Sequence, residues 1–223
     1  MVELDREDLK GVVASARAKA GDRKFRQSFE MYLVLDPKKV KKDDVQVNEV
    51  VALPNRFSSL PKVALIAGGE MATKAKEAGI DLVISPDDVD RLSTNKRELK
   101  RIIREYDFFA SDASLMPKVG RSLGRYLGPR GKMPIPVPSG SSIQALADRL
   151  RSSVRARARA QLAIAAKIGD IDMPDEKVAE NARALLNALK DKVPQGERSI
   201  KKIVIKATMG KPVELTTEAV KAK

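Results

Sequence analysis

Val63-Ala64-Leu65-Ile66-Ala67-Gly68-Gly69 is a continuous apolar run closed by two glycines. A strand that alternates polar and apolar residues keeps one wet face, whereas a run without alternation is covered on both. The residues that follow keep this grammar. Glu70 to Glu77 reads as helix and Ile80 to Ile84 as a second apolar strand. Pro86 to Glu105 reads as one long charged helix carrying Leu92, Leu99, Ile102 and Ile103, and Tyr106 to Ala110 is a third run. Buried strands alternating with helices predict parallel βαβ units. Ser141-Ser142-Ile143-Gln144 offers a capping box for a helix to about Leu150.

Outside this block the periodicity changes. Leu9, Val12, Val13, Ala16 and Ala20 fall at helical spacing, with Gly21 as the stop. Phe25 to Leu35 reads as a strand with Phe25, Phe29, Met31, Leu33 and Leu35 on one face and Arg26, Ser28, Glu30 and Tyr32 on the other. Lys38 to Asp44 reads as a solvated loop, Val45 to Leu53 as a strand, and Pro54 to Pro61 has linker composition. Later, Arg155 to Ile168 reads as one strand and Pro174 opens a helix lined by Val178, Ala182, Leu185, Leu186 and Leu189. A further strand holds Ile203, Ile205 and Ala207 and ends at Met209-Gly210, and Val213 to Leu215 adds a short one. The fold class is mixed α/β (α+β) in two domains. Residues 1–60 plus 153–223 form a discontinuous α+β domain, and residues 61–152 an inserted, Rossmann-like three-layer α/β domain.

The 223 residues carry 43 Lys plus Arg against 30 Asp plus Glu, a net charge of +13, with no His, Cys or Trp. That composition excludes disulfides, thiolate zinc sites, Ser-His triads and His acid–base catalysis, and it favours a polyanionic partner. The acidic start, Met1 to Asp8, is neither a signal nor a transit peptide, and no run approaches the roughly 20 apolar residues of a membrane span. A cytoplasmic location is the expectation.

Four constellations bear chemistry. Arg155, Arg157 and Arg159 stack along one face at strand period, a row of forked donors suited to phosphates or simply a solvated face over inward Ala. Lys118 to Lys132 contains Arg121, Arg125, Arg130 and Lys132, four Gly and no acid; it can cradle phosphates, although tight turning accounts better for the glycines. Ala67-Gly68-Gly69-Glu70 lacks dinucleotide-loop spacing, and no Walker A sequence occurs. Asp170 and Asp172 read as caps or solvated acids, with two-metal chemistry through Asp175 the remote alternative. Lastly, Lys24 to Glu30 and Lys206 to Lys211 each combine a cation, a hydroxyl and a large apolar side chain near a strand end, as RNA readers require.

Three segments carry a resemblance: Lys24-Phe25-x-x-Ser28-x-Glu30, the run Gly124-Arg125-Tyr126-Leu127-Gly128-Pro129-Arg130-Gly131-Lys132-Met133-Pro134, and Thr208-Met209-Gly210. Together they resemble the ribosomal protein L1 family, archaeal branch, over essentially the full chain. The resemblance implies a non-enzymatic ribosomal protein without cofactor or metal, cytoplasmic and monomeric off the ribosome. Its implied partners are large-subunit ribosomal RNA, tRNA at the exit site and its own messenger RNA, whose translation it represses. Carried over residue by residue, the RNA-binding set is Lys24, Phe25, Ser28, Glu30, Thr208, Met209 and Gly210, with Lys167 and Gly169 in a supporting loop. Lys202 stands where many members have a Ser that contacts RNA, so a phosphate contact is expected instead. Departures are the segment Leu53 to Pro61, which lacks the family's Gly- and basic-rich hinge, and the Ala-rich Gln161 to Ala166. The competing classes are an enzyme or small-ligand binder using the α/β domain, and a basic protein binding nucleic acid without preference.

Overall fold

The computed structural model describes residues 6–216, and of Arg6 and Thr216 the backbone alone; Met1 to Asp5 of the acidic start lie outside the described residues. Its elements are α1 (Arg6–Ala18), β1 (Ser28–Leu35), β2 (Gln46–Ala52), β3 (Val63–Ile66), α2 (Gly69–Glu77), β4 (Leu82–Ile84), α3 (Pro86–Thr94), α4 (Lys96–Glu105) and β5 (Phe108–Asp112). There follow α5 (Met116–Leu127), β6 (Ile135–Val137), α6 (Ile143–Arg151), β7 (Ser153–Arg159), β8 (Ala163–Asp170), α7 (Asp175–Lys190), β9 (Ile200–Ala207) and β10 (Val213–Thr216). Two units result, one from residues up to Ser59 together with those from Ser153 on, the other Leu60–Ser152.

In the split unit an antiparallel sheet runs in the order β10-β9-β1-β8-β7-β2. β1 alternates without a fault: Phe29, Met31, Leu33 and Leu35 are buried, while Ser28, Glu30, Tyr32 and Val34 are half-buried on the other face. The buried set packs with Leu9, Val13 and Ala16 of α1 and Val178, Ala182, Leu185 and Leu189 of α7. Each such large side chain contributes about 1.5–3 kcal/mol of burial, so the pattern fixes the register. Arg17 fastens α1 to the β8–α7 connection. It donates to the carbonyls of Ile171 and Met173, pairs with Asp175 at 2.7 Å and lies 5.0 Å over the Phe29 ring.

The second unit is the three-layer α/β structure its apolar runs imply. Its sheet is parallel, in the order β4-β3-β5-β6. All four residues of β3 are buried, as a strand covered on both faces requires. Ala64, Ile66 and Phe109 join Val89, Leu92, Leu99, Ile103, Val119 and Leu123 of α3, α4 and α5 in one core.

Several elements differ from the sequence reading. The long helix over 86–105 is two helices broken at Asn95, whose side chain accepts from the Glu98 N–H and so starts α4 afresh. The reciprocal capping box belongs to Ser85 and Asp88. α6 is capped by Ser142, which accepts from Ala145 N, rather than by Ser141. The strand over 155–168 is a hairpin, β7 and β8, with Ala160 in the left-handed region (φ 51°) between them. β1 begins at Ser28, so Phe25 lies ahead of the strand and is exposed.

Pro54 to Pro61 is not a loose linker at its start. Asn55 N–H donates to Asn181 Oδ1 at 2.9 Å, and Asn181 Nδ2 donates to the carbonyls of Asn55 at 3.0 Å and Ile168 at 2.9 Å. Phe57 is buried. Asn181 is fully buried on α7, so a polar residue on an otherwise apolar helix face positions the segment leaving β2. Asn181→Ala is expected to lower unfolding free energy by about 2–3 kcal/mol, since it strands buried polar groups; urea denaturation measures this, and a loss below the scatter of repeat titrations would refute the role.

Candidate nucleic-acid interface

At one end of the six-stranded sheet the chain closes on itself across 180 residues. Thr208 N–H donates to the Ser28 carbonyl at 3.0 Å. The Thr208 hydroxyl donates to that same carbonyl at 3.1 Å and accepts from Ser28 N–H at 3.0 Å. A hydroxyl has one proton and two lone pairs, so one lone pair is left to accept from a ligand. Gly210 then turns the chain, its N–H donating to Ala207 O at 2.9 Å. A Cβ on Gly210 would stand 3.0 Å from Ala20 Cα and 3.3 Å from Lys19 O, so a side chain there would press on the end of α1.

Gln27, to which the sequence reading gave no role, is 4% exposed. Its Nε2 donates to Gly21 O at 3.0 Å and its Oε1 accepts from Met209 N–H at 3.3 Å. One side chain thereby joins the end of α1, the approach to β1 and the Thr208–Gly210 turn. Around this fixed backbone Lys24 is exposed, and Phe25 and Met209 are 51% and 59% exposed. Both large apolar side chains are thus held out in water beside a braced backbone.

Beside the turn, Glu30 is flanked in the ladder by Lys167 of β8 and Lys206 of β9. It accepts from the Tyr32 hydroxyl at 2.7 Å and lies 4.0 Å from Lys206 Nζ. Burial, and then the Glu30 carboxylate, push the Tyr32 phenol up to about 12, so it stays a neutral donor. Lys206 also donates to Thr208 O at 3.0 Å. Tyr32 was not singled out from the sequence for this role, whereas Lys206 opens the Lys206 to Lys211 constellation read there. Alternation from Glu30 along the strand was the available signal for Tyr32.

Beneath these residues lies Asp170, which the sequence reading treated as a cap or solvated acid. It is 2% exposed. Lys167 pairs with it at 2.6 Å, Ser58 N–H donates to it at 3.0 Å, and the Ser28 hydroxyl stands at 3.5 Å. Burial alone would raise its pKa, but the Lys167 ammonium and the Ser58 N–H together hold it below the usual carboxylate value. Lys167 Nζ also lies 4.5 Å over the Phe57 ring. Gly169 is required here because a Cβ would meet Val178 Cγ2 at 2.8 Å.

Not all expected residues join this group. Lys202 lies opposite Val34, toward the other end of β9, six residues or roughly 20 Å from Thr208, and pairs with Glu214 at 2.7 Å. Arg155, Arg157 and Arg159 do share a face of β7, with Ala156 and Ala158 turned into the core, and Arg157 stands opposite Ala165. Burial and then the neighbouring Arg157 lower the Arg155 pKa. In the other unit Arg121 and Arg125 are exposed on α5, and Arg130 is exposed on the turn after it. Lys132 is turned inward: its ammonium donates to Ile103 O at 2.9 Å and Tyr106 O at 2.6 Å, capping α4.

Asp170, Asp172 and Asp175 diverge, each held by its own cation, Lys167, Arg26 or Arg17. Among the described residues no group of three carboxylates could hold a metal ion, and no helix is long and apolar enough to cross a membrane. What the arrangement offers is a lone pair, a carboxylate, three ammonium groups and two exposed apolar side chains on a rigid frame. The fold and this surface define a two-unit α/β binding module with a discontinuous domain.

The model of the ribosomal protein L1p/L10e family matches residues 15–211, and the chain belongs to that family. It is 46% identical over 200 residues to the large ribosomal subunit protein uL1 of Thermofilum pendens, covering 89% of this chain and 88% of that protein. With the uL1 of Thermococcus kodakarensis it shares 41% over 213 residues, 95% and 98% of the two chains. These relatives are structural ribosomal proteins, not enzymes.

Asp170 supplies a pH test. Its folded pKa is depressed, so its stabilising contribution is complete above the unfolded Asp value of about 3.9 and fades as pH falls through the lower folded value. The stability gap between wild type and Asp170→Asn is expected to be constant above about pH 5 and to narrow on acidification. Urea titrations at a series of pH values measure it; a gap that widens toward acid would refute the pairing.

Proposed function

We propose that this chain is a structural constituent of the cytoplasmic large ribosomal subunit and binds ribosomal RNA through its split unit. The observation that carries the reading is the braced Ser28–Thr208 corner with Phe25 and Met209 held out in water beside it. RNA recognition of folded elements works on ribose hydroxyls and sugar–phosphate surface. Thr208 keeps a lone pair for a 2′-hydroxyl, Ser28 and Glu30 add polar contacts, and Phe25, Met209 and Gly210 pack against the sugar face. Glu30 repels phosphate and therefore selects, accepting only from a hydroxyl or amino group, while Lys24, Lys167 and Lys206 supply salt-dependent attraction. Lys202 and the Arg155–Arg159 row extend the basic surface of the same sheet. On this reading the chain sits on the mobile stalk beside the tRNA exit site and assists release of deacylated tRNA. Binding of a similar structure on its own message would repress translation, and off the ribosome the chain is a monomer.

Met209→Ala is expected to weaken binding to the stalk fragment of large-subunit ribosomal RNA by about 1–2 kcal/mol at unchanged melting temperature, because the side chain is exposed in the free protein. Thr208→Ala is expected to lower both affinity, by about 1–3 kcal/mol, and stability, because its hydroxyl also clasps Ser28. Filter-binding and thermal melts check both; unchanged affinity in the two variants would remove the site.

The insert leaves and re-enters the split unit at one place, since Ala52 pairs with Ser153. Replacing residues 61–152 by a short Gly-Ser linker is expected to keep most of the affinity for that fragment. A folded deletion variant that no longer bound it would place recognition elsewhere.

A further inference from the structure

The second unit carries an unassigned charged surface. α4 buries Leu99, Ile102 and Ile103 and turns Lys96, Arg97, Lys100, Arg101 and Arg104 outward, all exposed. Arg97, Lys100, Arg101 and Arg104 follow at i, i+3, i+4 and i+7, a single stripe about 10 Å long. Glu98 and Glu105, the acids of this helix, are engaged from outside it, by Arg91 at 3.4 Å and Lys62 at 2.9 Å. None of the five outward cations forms an ion pair among the described residues. An open depression of ≈ 880 Å³ is lined by Arg97, Lys100, Arg101 and Arg104 with Asn95, and by Glu98 and Glu105, the two acids already engaged from outside the helix.

Like charges crowded on one helix face destabilise it by a few tenths of a kcal/mol per pair. Neither ion pairing nor packing offsets that here, because the apolar side of the helix already faces the core. A polyanion would. A lipid surface is disfavoured, since membrane-lying helices present large apolar residues for insertion and this face has none. Three of the four stripe residues are Arg, whose planar forks match phosphate oxygens in pairs.

We propose that Arg97, Lys100, Arg101 and Arg104 of α4 form a second RNA-docking surface that grips the phosphate backbone of folded RNA without reading its bases. The choice of RNA rests on membership of a ribosomal protein family. The surface itself is independent of the Ser28–Thr208 corner. It adds affinity and salt dependence, and the corner adds selection.

The test replaces Arg97, Lys100, Arg101 and Arg104 together by Gln in the full chain and titrates protein-free large-subunit ribosomal RNA from about 50 to about 300 mM salt. On this RNA the log–log salt slope is expected to become shallower by about 3, and affinity near 150 mM to fall roughly 10- to 100-fold, with the melting temperature unchanged. Affinity for the isolated stalk fragment, which the corner binds without α4, is expected to stay in place. A control removes four exposed cations elsewhere, Lys38→Gln, Lys41→Gln, Lys42→Gln and Lys76→Gln. An equal change of slope in the control would reduce the effect to net charge and overturn the proposal. So would an unchanged slope in the α4 variant, or loss in that variant of binding to phosphatidylcholine vesicles with about one-third phosphatidylglycerol while RNA binding stayed intact. Should α4 cost the fold, single Arg101→Gln and Arg104→Gln variants are each expected to lower the slope by about 1. Met209→Ala leaves this slope in place, so failure of the corner and failure of the stripe read out separately.

Discussion

Strand β1 lies in the middle of its sheet, and both its edges are satisfied only by strands from the far end of the chain. β8 supplies one ladder and β9 the other, and the Ser28–Thr208 clasp closes the end of the second. An unpaired backbone edge in the core would cost several hydrogen bonds' worth of desolvation. The first and last segments therefore fold together or not at all, and the candidate interface sits where they meet. Lys24, Ser28 and Glu30 lie in one short segment and Thr208 and Met209 in another; the topology makes the two segments neighbours.

Charge acts differently in the two units. Around Glu30 cations are ordered by specific acceptors: Lys167 by Asp170 and Lys206 by Thr208 O and the nearby Glu30 carboxylate. Such lysines hold a fixed geometry and are partly neutralised before any ligand arrives. Along α4 the acids are occupied by outside cations and the outward stripe is left with its full charge. An ordered, half-neutralised site suits discrimination, whereas an unscreened stripe suits capture. The two proposed surfaces would thus divide tasks that a +13 charge leaves merged.

Period-two alternation in Phe29 to Leu35 and the unbroken run Val63 to Ala67 made both sheets legible, because each pattern has one stable burial solution. The breaks were not. Asn95 divides a helix through a side-chain cap that competes with continuous helical periodicity, and Ala160 turns a hairpin in a left-handed conformation its residue type disfavours. The corner residues were legible through their resemblance to a family, with Phe25 misplaced into the strand. Asp170, Gln27 and Asn181 escaped because a buried polar residue looks like a surface one until its partners, up to 182 residues away, are in place. Lys132 escaped for the converse reason: a cation in a glycine-rich basic run turns out to cap a helix.

The order of strands also sets a clock for biosynthesis. β3 to α6 are contiguous in the chain and can complete their sheet as soon as Leu60–Ser152 has emerged. β1 must wait for β9, about 165 residues later, or roughly 10–30 s at ordinary elongation rates. One of its hydrogen-bonding edges lacks its native partner until β8 emerges, about 128 residues after β1, and the other until β9, although the insert is already taking shape. The unit that holds the candidate interface is thus the last to mature, and a truncated product lacking β9 cannot display the corner.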